Sequence, residues 1–353
     1  MILGFASEFP PDQTEHELPD VASARARLGA KAQPLDDVFE HLREALAGLL
    51  RDPADRALFA RAADAALLGY ARLALRHGSL GSDFHPYHNE THVLDLCGPR
   101  LDRLLQTIGP NALQLPQWLS LLLFAACHDL RQRQAPHPID GVGANERASW
   151  EESQRILTSC GLDEQRDAAL WIALELAIAG STFDARPLAT QGALNAADLV
   201  HSGGALAARL DHVLDRRHPA WRSDPQLVAA WKLALIAADL DTANVSETFD
   251  RFAASGENLC RERELLAGRS LAADESAQPV LAFLGDGQSR FFFELHRFNS
   301  EAGMAAFGAG KQANAPRLKA LIMGTRARIA LGGVPRSGDD VIAAYRQTLA
   351  RIE

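Results

Sequence analysis

The chain has 353 residues, 47% of them hydrophobic and 23% charged, with a formal net charge of −9. This is the balance of a soluble globular protein with a sizeable core. The acidity excludes broad contact with DNA or RNA, which needs Lys and Arg to displace counterions, but it leaves room for a small phosphate ester held through a metal.

Residues 1–34 are rich in Pro, Asp and Glu without periodicity and read as an extended or partly ordered lead-in. Helix then follows helix. Asp36 or Asp37 caps a first one with Phe39, Leu42, Leu46 and Leu49 on one face. Asp52-Pro53 opens a second that runs to His77-Gly78. Pro116 precedes the apolar run Leu119–Cys127, and Gly161 closes a helix holding Trp150, Ile156 and Leu157. Asp224-Pro225 opens another, and Gly332-Gly333 ends one near the C-terminus. Ala, Leu, Arg and Glu favour helix, and no alternating strand stands out. The expected fold is all-α: one irregular bundle of about a dozen helices over residues 35–353. Residues 35–80 supply N-terminal helices that cap the bundle or make a homodimer contact. The longest loops are expected near 132–143 and 268–288. The charge-dense stretch Gly256–Glu264 reads as a solvated helix face with i, i+4 pairs. Cys97, Cys127, Cys160 and Cys260 lack C-x-x-C spacing and read as reduced core residues. No apolar run is long enough to span a bilayer and no basic, apolar leader opens the chain, so the cytoplasm is the expected compartment.

Three of the twelve histidines fall close together, His85, His88 and His92. His88 and His92 share a face if that segment is helical. His128-Asp129 ends the apolar run, where a carboxylate is costly unless paired or bound to metal. Asp198 and Asp239 sit between Ala and Leu, equally poor surface settings. Asp198 and Asp239 each have a structural alternative, an N–H or Arg partner in the core, and Asp129 has that of a helix end reaching solvent. Together His92, His128, Asp129 and Asp239 offer two imidazoles and two carboxylates, a set suited to Zn, Mn, Fe or Mg with positions left for water. Such metals neutralise a phosphodiester and make hydroxide from water near neutral pH, and Asp129 is placed to bridge two of them. His88, a turn from His92, suits a general acid for the leaving oxygen.

Tyr87-His88-Asn89-Glu90-Thr91-His92 resembles the Tyr-His-Asn-x-x-His signature of the class I cyclic-nucleotide phosphodiesterases, within the wider HD phosphohydrolases. The His92-to-His128 separation is similar, and His128-Asp129 looks like the family's metal-binding pair. Ala237-Ala238-Asp239-Leu240 resembles its Ala-Ala-Asp-Leu segment, and Ala197-Asp198-Leu199 falls where it has Thr-Asp-Met. Gln288 and Phe291 look like its purine-binding Gln and the Phe that clamps the base. The resemblance implies His88 as general acid, with His92, His128, Asp129 and Asp239 holding two divalent metals. It implies Tyr87, Asn244, Gln288 and Phe291 near substrate. The family's His-Pro after its His-Asp pair is matched only later, by His137-Pro138, which leaves His137 an outer or alternative ligand. In simpler HD phosphohydrolases the last Asp comes sooner, which keeps Asp198 as an alternative to Asp239. The implied activity is hydrolysis of cAMP or cGMP to the 5′-monophosphate. Two alternatives stay open: another HD-type phosphohydrolase, such as a nucleotidase or small-ester phosphatase, and a catalytically silent nucleotide-binding protein. The implied partner is a small nucleotide, with no nucleic-acid polymer and no membrane.

Overall fold

The computed structural model describes residues 2–5, 7–134, 141–184 and 203–352. As expected from the sequence, the described residues form an all-α, multi-helix fold. The sole sheet among them is a two-residue antiparallel pair, β1 (Phe183–Asp184) with β2 (Gly204–Ala205), Phe183 facing Ala205. The chain divides into two compact units. The first holds the described residues up to Asp184, those from 203 to Asp241, and Asn299–Ala306. The second holds Thr242–Phe298 and the residues from Phe307 on.

In the first unit, α4 (Pro53–Arg76) begins as the Asp-Pro signal predicts. Asp52 accepts from the Asp55 N–H and Pro53 opens the first turn, where a missing N–H costs nothing. The helix α7 (Leu115–Cys127) has eleven of its thirteen residues buried. A helix apolar all round must lie inside, and α7 packs between α4 and α9 (Ala168–Ser181). Gly69 of α4 permits the closest approach, because a Cβ there would lie 2.9 Å from the Ala126 carbonyl oxygen and the Cys127 sulfur. After α10 (Leu210–Arg217), the helix α11 (Pro225–Asp241) packs along α9. Between α4 and α7, α5 (Glu90–Asp95) runs through a π turn over Leu96–Arg100 into α6 (Leu101–Ile108). Pro99 sits inside that turn, where its missing N–H and ring would break a regular ladder.

The lead-in is not an extended tail. It forms α1 (Gln13–Glu17) and α2 (Val21–Leu28), with α3 (Gln33–Ala45) following, and buries Leu3, Phe5, Leu18 and Leu28. The reason is electrostatic and invisible to periodicity. Glu175 of α9 accepts from the Ile2 and Leu3 N–H groups at 2.7 and 2.6 Å. Glu151 of α8 (Ala144–Ser159) accepts from those of Glu8 and Phe9 at 3.0 and 2.9 Å. Glu15 of α1 is 5% exposed and meets Arg131 at 2.5 Å, Arg155 at 2.7 Å and Arg72 at 3.2 Å. Glu152 of α8 meets Arg131, Arg76 and Arg72 in turn.

In the second unit, α12 (Phe249–Leu266) and α13 (Ala277–Ala282) share a core with α15 (Gly338–Leu349) that includes Phe252, Cys260, Val280, Phe292 and Tyr345. The segment expected as a loop near 268–288 thus contains α13 and a π turn over Phe283–Gly287. The charged stretch in α12 is not a solvated face either. Glu257, Glu262 and Glu264 are buried, with Glu257 on Arg261 and Arg346 and Glu264 on Arg269. All four cysteines are free, and burial pushes the Cys97, Cys127 and Cys260 thiols up to about 12.

Removing one member of a compensated buried ion cluster leaves the others desolvated and unpaired. Glu15→Ala should therefore lower stability by about 3–5 kcal/mol, read as a shift of the urea midpoint at unchanged slope. A surface-like loss below about 1 kcal/mol would show that the cluster does not hold the lead-in.

Candidate metal centre

Three elements of the first unit bring the site together. Asn89 caps α5: its side chain accepts from the Thr91 N–H at 2.8 Å and donates to the His85 carbonyl at 2.6 Å. One turn in, His92 is 4% exposed. The Asn of the Tyr-His-Asn signature is thus the residue that starts and orients the helix carrying His92. His88 precedes the cap, so it does not share a helical face with His92 as the spacing suggested. It still stands beside it, ring centroids 6.0 Å apart and edge-on. Tyr87 packs on both, at 4.8 Å from His88 and 4.9 Å from His92.

At the end of α7, His128 is 2% exposed. Its Nδ1 lies 3.0 Å from the Phe124 carbonyl oxygen. A carbonyl only accepts, so Nδ1 carries the proton and Nε2 faces the site. The third element is the C-terminus of α11, whose last residue is Asp241. His92 Nε2 lies 3.2 Å from Asp241 Oδ1 and 3.5 Å from Asp129 Oδ2. His128 Nε2 lies 2.9 Å from Asp129 Oδ2 and 3.4 Å from Asp241 Oδ1. A metal with bonds near 2.0–2.1 Å spaces its ligand atoms roughly 3.0–3.4 Å apart, from octahedral to tetrahedral. His128 Nε2 and Asp129 Oδ2 are both buried without a well-angled hydrogen bond among the described residues. These lone pairs converge on a common point, so the residues fit a divalent cation.

The electrostatics agree. Burial holds the His92 imidazole below its usual range, against the pull of Asp241 and Asp129. For His128 burial also opposes charge, but Asp129 and Asp241 win and lift it well above that range. In turn the His128 contact outweighs burial at Asp241 and holds its carboxyl well down, and His128 and His88 do the same for Asp129. Two carboxylates held as anions beside two imidazoles are the donor set of a divalent-cation site.

Asp239, expected as the fourth ligand, is elsewhere. Residues two apart on a helix point about 200° apart, so Asp239 and Asp241 cannot face one site. Asp239 is fully buried and accepts from the Asn299 N–H and amide at 2.6 and 3.0 Å, and from the Ser300 N–H and hydroxyl at 2.8 and 2.6 Å. Ser300 in turn caps α14 (Glu301–Gly332), accepting from the Gly303 N–H. Burial still pushes Asp239 up to about 6. The two carboxylates thus divide the work, with Asp239 fixing the start of α14 and Asp241 facing the histidines.

The sequence reading also missed Glu146 and Arg100. Glu146, in the first turn of α8, is raised by burial and by Asp129, and feels the charges of His128 and His88. Arg100, 3% exposed, donates to the Asp241 and Leu240 carbonyls at 2.5 and 3.3 Å and so fixes the end of α11. Only the neighbourhood of His88 marks Glu146, and nothing in its own local pattern marks Arg100. Asp198 and His137 lie outside the described residues. In the second unit, Asn244 is buried. Gln288 is buried too, and a Cβ on Gly256 would lie 2.7 Å from its amide nitrogen. Phe291 is partly buried against the core and edge-on to His296 at 5.6 Å. Phe292 is core, while Phe293 is exposed under Lys319.

No family model matches the chain, and no curated protein is significantly similar to it. No helix among the described residues is long and apolar enough to cross a membrane. What fold and site define is an all-helical protein with a buried His-Asp cluster suited to a divalent cation.

Dialysis against a divalent metal, with bound metal measured by atomic emission, separates the two aspartates. Asp241→Asn should reduce bound metal sharply. Asp239→Asn should retain it and lose about 1–3 kcal/mol of stability through unsatisfied donors. The reverse pattern would return Asp239 to the site, and a loss in Asp198→Asn would add that residue to it. Arg100→Ala leaves every ligand in place and should weaken metal binding about 10–100-fold, the usual cost of removing a ligand's support. Unchanged affinity would show that Asp241 holds its position without the clamp.

Proposed function

We propose that the protein is a metal-dependent phosphohydrolase of the HD type that hydrolyses a 3′,5′-cyclic nucleotide to the 5′-monophosphate. One observation carries the reading: donors from α5, the end of α7 and the end of α11 meet at 2.9–3.5 Å in a buried cluster with a further histidine beside it. His92, His128, Asp129 and Asp241 would hold the metal. Zinc, magnesium, manganese or iron bound there activates water and neutralises phosphate oxygens.

The remaining work falls to the chain itself. His88 stands outside the ligand cluster, half-buried and edge-on to His92. From there it donates a proton to the departing 3′ oxygen. Tyr87 packs against the His88 and His92 rings and keeps both in orientation. Glu146, whose carboxyl is raised by burial and by the charge of Asp129, is a further group of this neighbourhood able to exchange a proton. Gln288 and Phe291 are proposed base contacts on the strength of the motif order alone.

A second reading has its own support. Asp239, the position that matches the phosphodiesterase pattern, is committed to Asn299 and Ser300. That departure favours another HD-type reaction, on a nucleoside monophosphate or another small phosphate ester. A hydrolysis screen over cyclic mononucleotides, cyclic dinucleotides and nucleoside monophosphates decides between the two. Turnover of cAMP or cGMP supports the first, turnover of monophosphates alone supports the second, and inertness toward all with any divalent metal leaves a silent nucleotide binder.

His88→Ala should slow the chemical step by about 10²–10⁴ with metal content unchanged. Metal loss in that variant would show that His88 is a ligand and refute its role as acid. Chelation should abolish turnover, and readdition of zinc, manganese or magnesium should restore it.

A further inference from the structure

The loop between α4 and α5 carries a second set of donors that the proposed reaction does not use. Past Arg76 the chain folds back on itself: Leu80 N–H donates to the Ala74 carbonyl at 3.0 Å, Gly81 N–H to Gly78 at 3.3 Å, and His85 N–H to His77 at 2.8 Å. Two glycines make the turn possible. A Cβ on Gly78 would collide with the Glu90 carboxylate, and one on Gly81 with the Leu75 carbonyl. The result is that His77 and His85, eight residues apart along the chain, come together with rings 4.0 Å between centroids. Asp83 Oδ2 lies 3.4 Å from His77 Nδ1 and 3.3 Å from His85 Nε2.

We propose that His77, Asp83 and His85 form a second divalent-cation site, of the zinc class, separate from the His92–His128 cluster. Tetrahedral zinc with bonds near 2.0–2.1 Å spaces its ligand atoms roughly 3.3–3.4 Å apart, which is the spacing Asp83 keeps to each imidazole. The three donor atoms all lie within 4.8 Å of one another. Two imidazoles and a carboxylate are a common zinc set, with water in the fourth position. The imidazoles, 3% and 0% exposed, are fixed in place by the folded loop. Water reaches the site from a cavity of about 650 Å³ lined by His77, Asp83, Arg76, Arg131 and Arg133 among others.

The competitor is also on view. Arg133, half-exposed, grips Asp83 with two bonds of 2.6 and 2.5 Å. With the two histidines it holds the carboxyl down to about 2, so Asp83 is an anion wherever the imidazoles are free to bind metal. Cation binding requires Arg133 to give up the oxygen that faces the histidines. The site lies on the segment that leads into His88 and His92, so its occupancy would stiffen the approach to the proposed acid.

The test counts metal and does not depend on any hydrolytic activity. The full chain is dialysed against zinc chloride and bound zinc is measured by atomic emission. The expected result is a zinc equivalent that Asp83→Asn and His85→Gln each remove and that His128→Ala leaves in place. Arg133→Ala keeps all three donors and frees Asp83, so it should tighten that equivalent. Equal zinc content in the wild type, Asp83→Asn and His85→Gln would overturn the proposal. So would a loss that follows His128→Ala alone, or an Arg133→Ala protein that binds this zinc no more tightly. Loss of zinc in His128→Ala with the second equivalent intact separates the two centres, so either can fail without the other.

Discussion

Arg131 enters the interior two residues beyond Asp129 and meets Glu152 and Glu15, both at 2.5 Å. Around that contact gather Arg72, Arg76, Arg155 and Asp12, while Arg76 also donates to the Leu130 carbonyl at 2.5 Å. Charges removed from water are tolerated only when each finds several partners. Here the compensation is shared among α1, α4, α8 and the segment that follows α7, so none of these can move without stranding a charge. The direction of His128 and Asp129 follows from this, because their chain is gripped on the far side by the cluster and on the near side by the packing of α4 against α7 through Gly69. The histidines and carboxylates of the candidate centre are thus presented by a frame that buried ion pairs and the apolar packing of α7 hold together.

The end of α11 shows how one short stretch serves two purposes. Asp239 and Asp241 differ by two positions, and helical geometry sends them to different surroundings. The inner one meets the start of α14, where Gly303 is needed because a Cβ would collide with the Asp239 carboxylate. The outer one meets His92 and His128. Arg100, brought round by the π turn that accommodates Pro99, holds the carbonyls between them. A wide turn of this kind changes the angular register of everything after it, and here it aims a guanidinium at the helix end that carries a proposed ligand.

Much of the fold could be read from the sequence because its signals are local. Asp52-Pro53, Pro116, Gly161, Asp224-Pro225 and Gly332-Gly333 mark helix ends by backbone chemistry that needs no partner, and the structure places helix boundaries at each. His92, His128 and Asp129 were legible because two imidazoles and a buried carboxylate are costly wherever they sit. The rest depended on distant partners. An Asp between Ala and Leu announces burial but not its purpose, so the pattern pointed to Asp239 where the structure sets Asp241 beside the histidines. Residues 1–34 looked unstructured because Glu15 and its neighbours are satisfied by Arg131 and Arg155, far along the chain. In Gly256–Glu264 the same holds for Glu257, which finds Arg346 far along the chain, whereas Glu264 meets Arg269 only five residues on. Glu146 and Arg100 carry no local mark at all.

The separations within the ion cluster have a consequence for biogenesis. Glu15 lies 116 residues from Arg131 and 140 from Arg155 along the chain. Contacts so remote close late, since loop entropy must be met before they form. During synthesis from the N-terminus, the first helices leave the ribosome well before their guanidinium partners exist. The carboxylates that lock the interior are thus among the last groups of the chain to find their partners.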